Sequence, residues 1–291
     1  MAAADAWRWL RHNALPIYAA LAVAYMLVPI VVIAVFSFGE APKDKLTFGL
    51  DSGFTLEYWE SVFSLPELND ALTTSLRLAA FTTLIATAVG TLMAIALVRH
   101  RFLGRRVANL LIVIPMATPE VVIGASLLSM FIYYSFALGF TTLLLAHVMF
   151  SISFVVVVVR SRLIGFDRNL EEAAADLGAT PFATFRTVTL PLLAPGIVAA
   201  ALLAFALSID DFVISNFNSG TTVTFPLYVY GVSLRGIPVQ VNALATLLFV
   251  VTAVAVALVL WQQRRAERMA AVRPELEPAA PIPAPGAAAT T

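Results

Sequence analysis

Six stretches of this 291-residue chain are each apolar over about the 20 helical residues needed to cross a hydrocarbon core roughly 30 Å thick. They run near 16–38, 71–98, 107–133, 138–159, 190–215 and 241–261. Lipid offers no water to backbone N–H and C=O groups, so these spans must satisfy their hydrogen bonds internally, as helices. The expected fold class is therefore all-α, a polytopic membrane protein with six transmembrane helices. Composition agrees. Apolar residues make up 60% of the chain and charged ones 12%, about half the charge share of a soluble domain. The first stretch exceeds the roughly 7–15 apolar residues of a cleaved signal peptide, and no convincing cleavage site follows it. It is read as a retained span.

Basic residues fix an expected orientation. Arg8 and Arg11 precede span one. Arg99, Arg101, Arg105 and Arg106 lie between spans two and three, and Arg160, Arg162, Arg168 and Arg186 between spans four and five. Arg264, Arg265, Arg268 and Arg273 follow span six, which puts fourteen of the eighteen basic residues on one face. Lys43, Lys45 and Arg235 lie on the other, and Arg77 within span two. By the positive-inside rule the Arg-rich face is cytoplasmic, with both termini there, in a bacterial inner membrane. Residues 1–15 are then a cytoplasmic segment, 16–262 the membrane domain, and 263–291 a cytoplasmic Pro/Ala-rich tail that reads as disordered. The first external loop, 39–70, is acidic and rich in turn residues. Its Phe54, Leu56, Tyr58, Trp59 and Phe63 suit a short interfacial helix over 55–63.

The connection between spans four and five has its own punctuation. Asn169 is placed to cap a helix whose third residue is Glu172, a variant of the capping box. Glu171 and Glu172 in the first turn complement the positive end of the helix dipole. Alanines favour the helix, and Gly178 with Pro181 beyond it supplies a stop. The expectation is a helix over 170–177, about 12 Å long. A second helix then opens at Thr180-Pro181 with proline in its first position. Such a helix is rigid and tied to two spans, although an ordinary capped loop helix would look the same on physics alone.

Glu172-Ala173-Ala174, three residues, Gly178, nine residues, then Val188-Thr189-Leu190-Pro191 resembles the EAA signature of ABC importer permeases. Val188 stands where that family usually has isoleucine. Segments 154–167, 207–215 and 241–246 extend the likeness, which is similar to the second permease subunit of spermidine/putrescine importers and covers most of 55–260. The resemblance implies the type I ABC importer permease fold, with a coupling helix at about 170–178. It implies that Glu172, Ala173, Ala174 and Gly178 dock on an ATP-binding subunit. The partners implied are a dimer of that subunit, a second permease subunit, an extracytoplasmic solute-binding protein and the bilayer. The implied cargo is a polyamine. ATP and Mg²⁺ would sit on the partner, with no cofactor in this chain.

Ionisable groups within spans are costly and need a reason. Asp210 and Asp211 lie near the external end of span five. Paired carboxylates there would attract a cationic solute, with Ser208, Ser215 and Asn216 lining the same route. The structural alternative is that the two aspartates cap the helix end or pair with Arg77. Pro115, Pro119 and Glu120 interrupt span three, which suits either a bent, cavity-lining helix or a plain kink. His147 has no metal-ligand partner at useful spacing and reads as a packed, hydrogen-bonded side chain.

No cysteine is present, which removes disulfides and thiolate chemistry. Neither a Walker-type phosphate loop nor a nucleophile elbow or HExxH helix occurs, so the chain is not expected to bind ATP or to be an enzyme. Its 18 basic and 18 acidic residues balance and leave no nucleic-acid footprint. The alternatives are the same machine for another solute (an aminophosphonate, ferric ion or sulfate) and, in a different class, a stand-alone ion-coupled carrier. Carriers of that kind usually carry internal repeats, and none is evident.

Overall fold

The computed structural model describes residues 2–39, 54–165, 167 and 169–271. Lys43, Lys45, Arg168, Arg273 and the tail from 272 onward lie outside the described residues. Everything described is helix and connection, and among the described residues no strand forms beyond one isolated bridge between Gly39 and Phe54. The helices are α1 (Ala2–Phe36), α2 (Glu57–Glu60), α3 (Pro66–Arg99), α4 (Arg105–Ala117), α5 (Glu120–Tyr133), α6 (Phe140–Ile164), α7 (Asn169–Asp176), α8 (Pro181–Thr184), α9 (Leu190–Asp210), α10 (Val213–Asn218), α11 (Phe225–Ser233) and α12 (Val239–Ala271).

Among the described residues four helices are long and apolar enough to span a bilayer: Asn13–Phe36, Pro66–Arg99, Phe140–Ile164 and Pro181–Asp210. The pair α4 and α5 makes a fifth if counted as one broken span, and α12 opens on an apolar run, Val239–Val254. Six spans are compatible with this arrangement. Two expected spans are not continuous, however. The stretch 107–133 is split by a 113° bend. Pro119 has no N–H to continue the ladder, and Thr118 before it is extended at φ −88°, ψ 135°, as a residue preceding proline prefers. The stretch 190–215 breaks at Asp211, where α9 ends and α10 begins. The tail also differs from expectation. α12 runs on to Ala271 because 262–271 holds good helix formers, and the first breaker is Pro274.

The chain forms two compact units. In the first, the end of α1 meets the loop ahead of α3. The amide of Thr55 donates to the carbonyl of Phe38 at 2.9 Å, and the Phe38 ring stacks on Trp59 at 5.2 Å. The expected interfacial helix shrinks to the single turn of α2. Large apolar side chains of α1 are exposed, Leu15 and Tyr25 each to 80%, a surface suited to lipid rather than water.

The second unit is built on α3, α6 and α9, packed against one another. Small residues let the backbones approach: Ala86, Gly90 and Ala94 on α3, and Ala200 and Ala204 on α9, face Val155, Val156 and Val159 of α6. The fit is close enough that a Cβ on Gly90 would lie 2.6 Å from Val155 Cγ1. Beside this core α5 packs on α10, where Gly124 leaves room for the Phe217 ring.

Candidate functional site

Two polar sites in the second unit hold the residues singled out in the sequence. One lies at the end where α3 finishes, and is built on α7. The Asp167 carboxylate accepts from the amide of Asn169 at 3.0 Å. Asp167 thereby satisfies the first amide of the helix, and Asn169 is its first residue rather than its cap. At the other end Gly178 takes φ +86°, its amide donates to Ala175 O at 2.9 Å, and the Ala179 amide donates to Ala174 O at 3.0 Å. That pair of bonds is a Schellman motif, which only glycine enters without cost. Thr180 then caps α8, its hydroxyl accepting from Ala183 N at 3.3 Å, with Pro181 in the first helical position.

α7 presents two faces. Glu172, Ala173, Asp176 and Leu177 are exposed, Leu177 to 90%, and Leu170 and Phe182 add apolar surface beside them. Ala174 is half-buried, Gly178 exposed. On the inner face Glu171 meets both terminal nitrogens of Arg99, the last residue of α3, with Nη2 to Oε1 at 2.8 Å. Oε1 also accepts from the Thr189 hydroxyl at 2.5 Å. Thr189 ends a π-helical turn, Phe185–Thr189, that joins α8 to α9. In that turn the Leu190 amide reaches back to Phe185 O, and Pro191 follows without an N–H of its own. Nothing in the sequence pairs Glu171 with Arg99. Their separation is 72 residues, and the only signal was an acid in a first turn and an arginine at the end of a span.

The second site lies where α9 breaks. His147 is 2% exposed, with Nδ1 2.8 Å from Ser208 Oγ and Nε2 3.0 Å from Ser215 Oγ and 3.3 Å from Asp211 Oδ2. A carboxylate only accepts, so a proton on Nε2 and an accepting Nδ1 satisfy this set. Asp211 further accepts from the amides of Ile214 at 3.3 Å and Ser215 at 2.8 Å, and from the Ser215 hydroxyl at 3.0 Å. It thereby covers the start of α10. The partner of Asp211 is His147 and not Arg77. Ser208, Ser215 and Asp211, expected to line a route, are instead buried together, and only Asp210 and Asn216 of that set are exposed. His147 is the packed, hydrogen-bonded side chain expected of it. Among the described residues no cluster of three metal-ligating side chains occurs.

Comparison with known proteins shows the family. The family model for the binding-protein-dependent transport system inner membrane component matches residues 86–268, well over half the chain. The chain belongs to this family. Among relatives, the spermidine/putrescine transport system permease protein PotC of Haemophilus influenzae is 40% identical over 79% of this permease and 88% of its own length. PotC of Escherichia coli K12 is 39% identical over 80% and 87%. The putrescine transport system permease protein PotI of the same strain is 36% identical over 78% and 83%. Two solved structures share the fold. One is a bacterial ABC transporter that imports alginate, with TM-score 0.64 and 17% identity over 90% of this permease and 98% of that chain. The other is an amino acid ABC transporter, with TM-score 0.55 and 19% identity over 73% and 100%. The protein is a multi-pass membrane permease subunit of the ABC importer class, and not an enzyme.

Proposed function

We propose that this permease forms half of the translocation pathway of an ATP-driven polyamine importer. The observation that carries the reading is the length and depth of the likeness to spermidine and putrescine permeases, 36–40% identity over most of both chains. The exposed carboxylate of Asp210 at the break in span five is in keeping with a cationic cargo. In this reading the α7 end is cytoplasmic, as are both termini. A dimer of ATP-binding subunits holds ATP and Mg²⁺ and receives the outward face of α7 through Glu172, Ala173, Ala174 and Gly178, beside exposed Leu170, Leu177 and Phe182. A second permease chain completes the pathway, and a solute-binding protein delivers the polyamine from outside. Closure of the nucleotide subunits displaces α7 and shifts the bundle between inward- and outward-open populations. Asp210 and Asn216 face the cargo, and buried Asp211, Ser208 and Ser215 hold them in place.

The test is ATP-dependent uptake of labelled spermidine and putrescine in cells lacking the gene, complemented by wild type or by Gly178→Trp. Wild type restores uptake, whereas the tryptophan variant inserts at normal level and does not. If wild type restores import of another solute only, the cargo assignment falls. Normal uptake by Gly178→Trp would remove α7 as the docking element.

A further inference from the structure

The backbone ties α7 directly to two elements only, to α6 through residues 165–168 and to α8 through 177–180. α3 has no such tie, although it packs on both α6 and α9 and is one of the three helices of the core. Its last residue is nevertheless gripped from α7, since Arg99 and Glu171 form a two-point, charge-assisted pair. The side chains are only 14% and 21% exposed, so water screens the pair little and the planar fork fixes its direction. The same carboxylate holds Thr189 at the foot of α9. One side chain thus joins three elements at a single point, on the side of α7 that faces the protein.

We propose that Glu171 is the joint through which displacement of α7 reaches α3 and the foot of α9, with Arg99 and Thr189 as its receivers. The inference rests on α7 being the docking element, as argued above. Without the joint, α7 follows the nucleotide subunits while hinging at the left-handed turn of Gly178, which has open space around it. α3 is then left behind. Glu171 is a positioning residue in this scheme, since it touches neither ATP nor cargo.

The chain contains no cysteine, so one engineered pair can report the joint alone. Ala175→Cys on α7 and Arg101→Cys beyond α3, both at exposed positions, would carry spin labels in the complete transporter reconstituted in lipid. Distances are measured without nucleotide and with ATP trapped by vanadate, alongside ATP hydrolysis and spermidine uptake. With Glu171 intact the distance distribution stays narrow and unchanged between the two states. In Glu171→Gln it broadens or shifts on trapping, and solute moved per ATP falls by about tenfold. The exchanged pair Arg99→Glu with Glu171→Arg recovers a narrow distribution and part of the coupling. A purely structural role predicts something else: hydrolysis and uptake falling in proportion, with the distribution unchanged, which overturns the proposal. So does a wild-type distance that changes between the states. Failure of the wild-type chain to co-purify with an ATP-binding subunit overturns the docking reading itself, and this inference with it.

Discussion

Asp210 and Asp211 are neighbours in sequence, yet the end of α9 turns one outward and the other into the protein. The Asp211 side chain is 6% exposed and shared among His147, Ser215 and two backbone amides. His147→Ala takes one of several partners from that carboxylate and leaves the buried Ser208 hydroxyl without its hydrogen bond, at a cost of about 1–3 kcal/mol. The melting temperature of the purified permease should drop accordingly. Asp210→Asn leaves stability within about 0.5 kcal/mol of wild type. It should instead raise the half-saturating spermidine concentration, by about tenfold if one ammonium contact worth roughly 1.4 kcal/mol is lost. Equal melting temperatures for the two variants would contradict this division of labour. Glycine positions divide in the same way. Gly220 sits at φ +56° with a would-be Cβ 2.6 Å from Leu138 O, whereas Gly231 has open space around it. Gly220→Ala should therefore lower the yield of folded protein, and Gly231→Ala should not.

Between elements, the tightest seam is α3 on α6, where Gly90 faces Val155. Gly90→Leu forces the two helices apart, and such overpacking typically costs about 1–3 kcal/mol. A lower melting temperature, partly recovered by adding Val155→Ala to open the seam, is the expected result. The breaks differ in kind. The one between α4 and α5 is dictated by Pro119 and is written in the sequence. The one between α9 and α10 has no glycine or proline at it, and it persists because Asp211 accepts from the amides of Ile214 and Ser215. A helical register through 211–215 would give up those two bonds and the contact with His147.

For the molecule as a whole, the prediction concerns sidedness. Ala175 on α7 and Ser64 ahead of α3 are both exposed. In the Cys-free background, Ser64→Cys should react with a membrane-impermeant maleimide in intact spheroplasts. Ala175→Cys should react only after the membrane is opened. The reverse pattern would invert the orientation and place α7 outside, away from any ATP-binding partner.

Much of this was legible along the chain. Apolar runs long enough for a bilayer, Pro119 within one of them, and Gly178 with Thr180-Pro181 around α7 are local signals, because lipid solvation, proline sterics and left-handed backbone act within a few residues. Cap identity was less secure, since Asp167 and Asn169 both offer a short acceptor two residues apart. Tertiary structure alone decided which polar groups meet. His147 finds Ser208, Ser215 and Asp211, and Arg99 finds Glu171 and Thr189. The sequence determined where the chain enters lipid and where it must turn, because those depend on nearest neighbours. The partners of its few buried charges depend on which helices lie side by side, and that is settled by packing small residues of α3 and α9 against α6.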